Sequence, residues 1–116
     1  MINIIEKSRE FTKVEQYLLT QSQDAISLKD IEDGTSILVD GYIIYDITKN
    51  DETKTLLSLI TDEKKVYTTI SQTFMNEFAN IWELFEGQPT SIIKKSGTTK
   101  NGRDFITCTL DVSAFK

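Results

Sequence analysis

Strand-like apolar runs fill residues 35–47, 53–61 and 65–70, a helical repeat fills residues 71–86, and alternation returns through residues 91–112. Side chains alternate across a strand and recur every three to four residues along a helix, so the order reads strand, strand, strand, helix, hairpin. In the first run Ile37, Val39, Ile43, Tyr45 and Ile47 share one parity around Gly41, while Ser36, Asp40, Tyr42 and Asp46 take the other. That is a half-buried strand, opened by the turn signal Asp33-Gly34. Gly41 marks a bulge or sharp bend, and a bulge would invert side-chain parity beyond it.

The second run carries Leu56, Leu57, Leu59 and Ile60, apolar on both faces, as a central strand requires. Val66, Thr68 and Ile70 alternate with Tyr67 and Thr69 in the third, so Tyr67 points away from the Val66 face. Phe74, Phe78, Ile81, Trp82 and Phe85 form the stripe of a helix buried on one side. Ser71 or Thr73 can cap its start, Gly87 can end it, and Pro89 prevents its continuation. Asn101-Gly102 predicts a two-residue type I′ turn for the last hairpin. Beyond that turn Ile106, Cys108, Leu110 and Val112 share one face, with Phe105, Thr107, Thr109 and Asp111 on the other.

This order predicts a mainly β protein with one amphipathic helix: a five-stranded OB-fold barrel whose helix lies between the third and fourth strands. Residues 27–116 are expected to form the barrel and residues 1–26 an N-terminal extension, all within one domain. Phe11, Val14, Tyr17 and Leu18 fit a short helix or arm facing the barrel. With 116 residues the chain is long enough for a core without staples. Cys108, the single cysteine, cannot form an intrachain disulfide and reads as a small buried hydrophobe. No segment has the length of a membrane helix and the N-terminal run lacks a signal-peptide pattern, so a cytoplasmic protein with no membrane partner is expected.

Charge divides the chain. Residues 1–89 hold 8 Lys/Arg against 16 Asp/Glu, whereas residues 90–116 hold 5 against 2. Lys94, Lys95, Lys100 and Arg103 fall within ten residues free of carboxylates, so a local positive potential persists in an acidic molecule. The plainer alternative is a solvated hairpin edge that resists aggregation. The chain has no histidine, and it shows no glycine-rich phosphate cradle, nucleophile elbow or calcium-loop spacing. No enzymatic activity, metal or cofactor is expected.

Parity brings Tyr42, Tyr67 and Phe105 out of the core, and Tyr45 too if Gly41 makes a bulge. Exposed rings on a sheet together with a few cations are what single-strand binding uses. The run Ser27-Leu28-Lys29-Asp30-Ile31 with Asp33-Gly34-Thr35, then Val66-Tyr67-Thr68 with Ile70-Ser71 and Thr73, then Gly97-Thr98-Thr99-Lys100 with Gly102 and Phe105, resembles a phage family. These are the single-stranded DNA-binding proteins of small tailed phages that replicate linear genomes by protein priming. The likeness covers roughly residues 27 to 112, and the segment up to Gln23 has no evident counterpart. It implies an OB-fold that coats displaced strands without sequence preference, with tyrosines stacking on bases at Tyr67 and Tyr45. A further tyrosine expected in the loop after the first strand is missing here, where Lys49-Asn50-Asp51-Glu52 stands.

The leading expectation is therefore single-stranded DNA binding in phage or mobile-element replication, in contact with the replication machinery, as a monomer or weak homo-oligomer. Tyr67, Tyr42, Tyr45 and Phe105 would stack on bases, and Lys94, Lys95, Lys100 and Arg103 would neutralise phosphates. Two other readings stand beside it. One is an acidic OB-like adaptor or inhibitor that binds a host replication or defence protein. The other is an oligosaccharide-binding module.

Overall fold

The computed structural model describes residues 2–86 and 88–115. Its elements are β1 (Ile2–Lys7), α1 (Lys13–Gln21), β2 (Ile26–Ser27), β3 (Ser36–Lys49), β4 (Glu52–Thr61), β5 (Val66–Thr69), α2 (Gln72–Leu84), β6 (Thr90–Thr98) and β7 (Asp104–Leu110). Short 3-10 turns cover Leu28–Asp30 and Val112–Phe115. One seven-stranded sheet runs β2-β5-β4-β3-β6-β7, with β1 also paired to β3. The result is a mainly β, curled half-barrel with two helices, which fits an OB-like barrel. In place of the expected five strands the described residues form seven. The N-terminal segment itself supplies two of them: β1 on the free edge of β3 and the two-residue β2 parallel to β5.

The long strand β3 organises the rest. Val39 pairs with Thr61 but Gly41 pairs with Ile60, so Asp40 is the extra residue of a bulge. As a bulge requires, the faces exchange across it. Before it, Ile37 and Val39 join a core built with Leu57, Leu59, Phe74, Phe78, Trp82 and Ile92; beyond it, Tyr42 and Ile44 face that same core. Ile43 and Tyr45 turn instead to a second core with Leu19, Ile60 and Val66, under β1 and α1. β4 serves both, since Leu57 and Leu59 enter the first core and Leu56 and Ile60 the second, which is why it is apolar on both faces.

The helix α2 starts at Ser71, whose Oγ accepts the Phe74 amide at 3.2 Å, and it buries Phe74, Met75, Phe78 and Trp82. The proposed stop at Gly87 lies outside the described residues. Cys108 is buried as expected; burial, with a smaller effect of Glu77, pushes its thiol up to about 12.

Two expectations are corrected, the face of α1 and the turn of the last hairpin. The helix α1 exists but is rotated: Glu15, Leu18 and Leu19 face inward, while Val14 and Tyr17 are exposed. The two-residue turn with both φ positive is Asn50-Asp51 (φ 51° and 65°), between the paired residues Lys49 and Glu52. At the last hairpin only Gly102 is left-handed (φ 78°), and its amide donates to Thr99 O at 2.9 Å while Thr99 N donates to Arg103 O at 2.8 Å. This is a three-residue loop ending in a left-handed glycine, whose single positive φ suffices because a G1 bulge supplies the twist.

The rotation of α1 has an electrostatic cause. Glu15 closes a capping box with Thr12 and accepts Lys64 Nζ at 2.8 Å and Arg9 Nη2 at 3.4 Å. Arg9 also donates to Asp40 at the bulge at 2.8 Å and lies 4.4 Å above the Phe11 ring. Phe11 in turn covers Gly41, where a Cβ would stand 2.9 Å from the ring. Bonds from Lys64, the Thr12 amide and Arg9 lower the Glu15 carboxyl from 4.5 to about 2. A depressed acid stabilises the fold above its unfolded pKa and loses that contribution as pH falls through the folded value. Glu15→Gln is therefore expected to lose about 1–3 kcal/mol in urea denaturation at neutral pH. It should also show a shallower loss of stability than the parent as pH falls from 4.5 toward 2.

Candidate nucleic-acid interface

The β6–β7 hairpin sorts its cations by strand parity. Lys94 pairs with Cys108 on the core side, whereas Lys95 pairs with Thr107 and Gly97 with Phe105 on the other. The Lys94 side chain is only 5% exposed; its Nζ donates to Ile31 O and to Asp33 Oδ1, both at 2.9 Å. Ser96 Oγ also donates to Asp33. These bonds, Ser96 first and Lys94 second, hold the Asp33 carboxyl below the usual carboxylate range. Lys94 thus fastens the turn at Asp33-Gly34 to β6 rather than projecting into solvent. Lys95, Lys100 and Arg103 are exposed, and their side chains have no ion-pair partner among the described residues.

The aromatic candidates separate as well. Tyr42 does not leave the core. Its ring meets Phe78 and Trp82 edge-on at 5.2 and 5.4 Å, and its hydroxyl donates to Glu6 Oε2 at 3.0 Å. Burial first, then Glu6, pushes that phenol up to about 12. The bulge sends Tyr45 away from the first core, but β1 and α1 cover it, leaving it 4% exposed. Tyr67 is half-buried at the margin of the first core. Phe105 is half-buried and lies across Gly97, where a Cβ would stand 2.7 Å from its ring.

A cleft of about 760 Å³ opens between the end of β5 with the start of α2 and the β6–β7 hairpin. It brings Phe105 and the stem of Lys94 together with Lys29, Ile70, Ser71 and Ser96. Tyr67 lies two residues before Thr69, another lining residue, on the same face, roughly 7 Å along the strand. Lys95, Lys100 and Arg103 belong to the hairpin that forms one wall, while Tyr42 and Tyr45 stand apart. The cleft residues Lys29 and Ile70 escaped sequence reasoning as site residues. Their only signal was membership of the Ser27–Ile31 and Ile70-Ser71 runs that carry the family likeness.

A curled OB-like sheet with a half-buried ring and unpaired cations around an open cleft has the parts that single-strand binding uses. A family model described as phage single-stranded DNA-binding protein matches residues 5–111. The chain belongs to this phi29-type family, and binding of single-stranded DNA is its general activity. The match begins at Ile5, so the N-terminal segment that lacked an evident counterpart lies within the family pattern. No curated protein and no solved structure matches the chain. The family binds DNA without catalysing a reaction. Among the described residues no helix is long and apolar enough to cross a membrane.

The geometry of Lys94 separates structure from binding. Lys94→Met is expected to lower stability by about 1–3 kcal/mol by leaving Ile31 O without its side-chain donor and Asp33 with Ser96 alone. At temperatures where it is folded, the salt dependence of oligonucleotide binding should equal that of the parent.

Proposed function

We propose that this protein coats displaced single strands during replication of a phage or mobile-element genome, without sequence preference, in the host cytoplasm and beside the replication machinery. The match to the phage family over residues 5–111 carries the reading. On this reading β3, β4, β5, β6 and β7 are the five strands of an OB-fold, α2 lies between its third and fourth strands, and residues 1–26 are an extension layered on it. Tyr67 and Phe105 are the stacking residues, because each combines partial exposure with a fixed backing. Lys95, Lys100 and Arg103 are the phosphate contacts. Tyr42, Tyr45 and Lys94 serve the cores and the turn instead.

Stacking and phosphate contact suit any sequence, since every base has a π-face and every nucleotide a charge. The overall charge of −5 does not oppose this, because counterion release depends on the cations in contact. Titration of the protein with poly(dT) is expected to quench its intrinsic fluorescence saturably, with salt reversing the effect. Tyr67→Ala should weaken binding about 5- to 100-fold with the fold intact by circular dichroism. Lys100→Gln and Arg103→Gln should each reduce the slope of log K against log salt by about 0.7. A folded protein that gives no response at any salt, and that co-purifies with a protein partner, would replace this reading by the acidic adaptor.

A further inference from the structure

We propose that the cleft at the open seam of the sheet is a nucleobase-binding site, with Phe105 as its stacking platform and Lys29 as its phosphate contact. The inference rests on single-stranded DNA being the ligand and locates where one segment of the strand lies.

The seam exists because the sheet path ends at the two-residue β2, which pairs only Tyr67 and Thr68 of β5, on one side and at β7 on the other. Ser71 Oγ donates to Ile106 O across it at 3.3 Å. The remaining gap is the cleft, whose volume of about 760 Å³ lies within the roughly 300–1,000 Å³ range of small-molecule sites. One wall is the Phe105 ring, held against Gly97, which has no side chain to displace it. Ile70, a 64% exposed aliphatic side chain just past the end of β5, also lines the cleft. A planar base between a fixed aromatic ring and an aliphatic surface would bury both. Among the described residues β7 has no strand partner besides β6, and Ile106 O on it accepts Ser71 Oγ.

Charge orients the strand. Of the two lysines lining the cleft, the Lys94 ammonium is held by Ile31 O and Asp33, whereas Lys29 has no ion-pair partner among the described residues. Asp104 also lines the cleft, where its carboxylate accepts the Thr98 hydroxyl at 3.2 Å. A phosphate is therefore favoured beside Lys29 and disfavoured beside Phe105, next to that carboxylate, which leaves the base to the ring. From Lys29 the backbone continues toward the exposed cations of the hairpin.

The full chain bound to oligo(dT) carrying 5-iododeoxyuridine, irradiated, digested with trypsin and sequenced by mass spectrometry, tests the placement. The expected adduct is on Phe105, in the peptide that begins after Arg103. Adducts confined to Tyr67, in the peptide that begins after Lys65, would overturn it. Two variants provide an independent readout. Phe105→Leu should weaken binding about 5- to 100-fold with an unchanged salt slope, and Lys29→Gln should reduce the slope by about 0.7. Parental affinity and slope in both variants, with oligo(dT) still bound, would overturn the cleft and leave strand coating intact. Failure of the parent protein to bind oligo(dT) would remove the functional reading itself, and this inference with it.

Discussion

One extra residue in a strand, Asp40, determines how the rest of this molecule is layered. Without it, β3 would present one apolar parity from Ile37 to Ile47 to a single core. With it, Ile37 and Val39 pack under α2, while Ile43 and Tyr45 pack on the opposite side of the sheet. The second apolar face needs its own cover, which β1 and α1 provide. Arg9 ties that cover to the bulge through Asp40, and Phe11 lies over the bare backbone of Gly41. The N-terminal layer is thus a direct consequence of the bulge.

Charge in this protein is divided between architecture and surface. Glu15 anchors α1 to Arg9 and Lys64, Lys94 fastens the Asp33 turn to β6, and Asp111 ties the end of β7 to Ser36 Oγ at 2.6 Å and Ser113 Oγ at 2.6 Å. These groups hold the fold together, and Glu15 and Lys94 do so as members of ion pairs. Four of the cations with no ion pair among the described residues, Lys29, Lys95, Lys100 and Arg103, lie in or around the cleft and its hairpin wall. An acidic chain can in this way present a positive local field to a polyanion.

Much of this was legible locally. The α2 stripe, the central position of β4 and the burial of Cys108 follow from periodicity, which reports how side chains divide between two faces. Periodicity does not say whether a face meets solvent or a second layer. Tyr42 and Tyr45 illustrate the difference. Both were assigned by parity around Gly41, and both rings are covered, one by α2 and one by β1 and α1. Turn chemistry misled in the same way: Asn101-Gly102 has the preferred residues for a two-residue turn, but the register of β6 on β7 leaves three residues to close the loop. Asn50-Asp51 accepts the left-handed pair instead.

The sequence by itself determined the order of elements, the bulge-prone glycine, the helix with a cap at Ser71 or Thr73 and the concentration of cations in one hairpin. These depend on residues close in the chain, whose backbone preferences and hydrophobic period act locally. Only the tertiary structure decided which rings are covered, which lysine is committed to Asp33 and where Lys29, Ile70 and Phe105 converge. Those outcomes depend on contacts between segments far apart in the chain, and strand register and layer stacking select among them only once the sheet has curled.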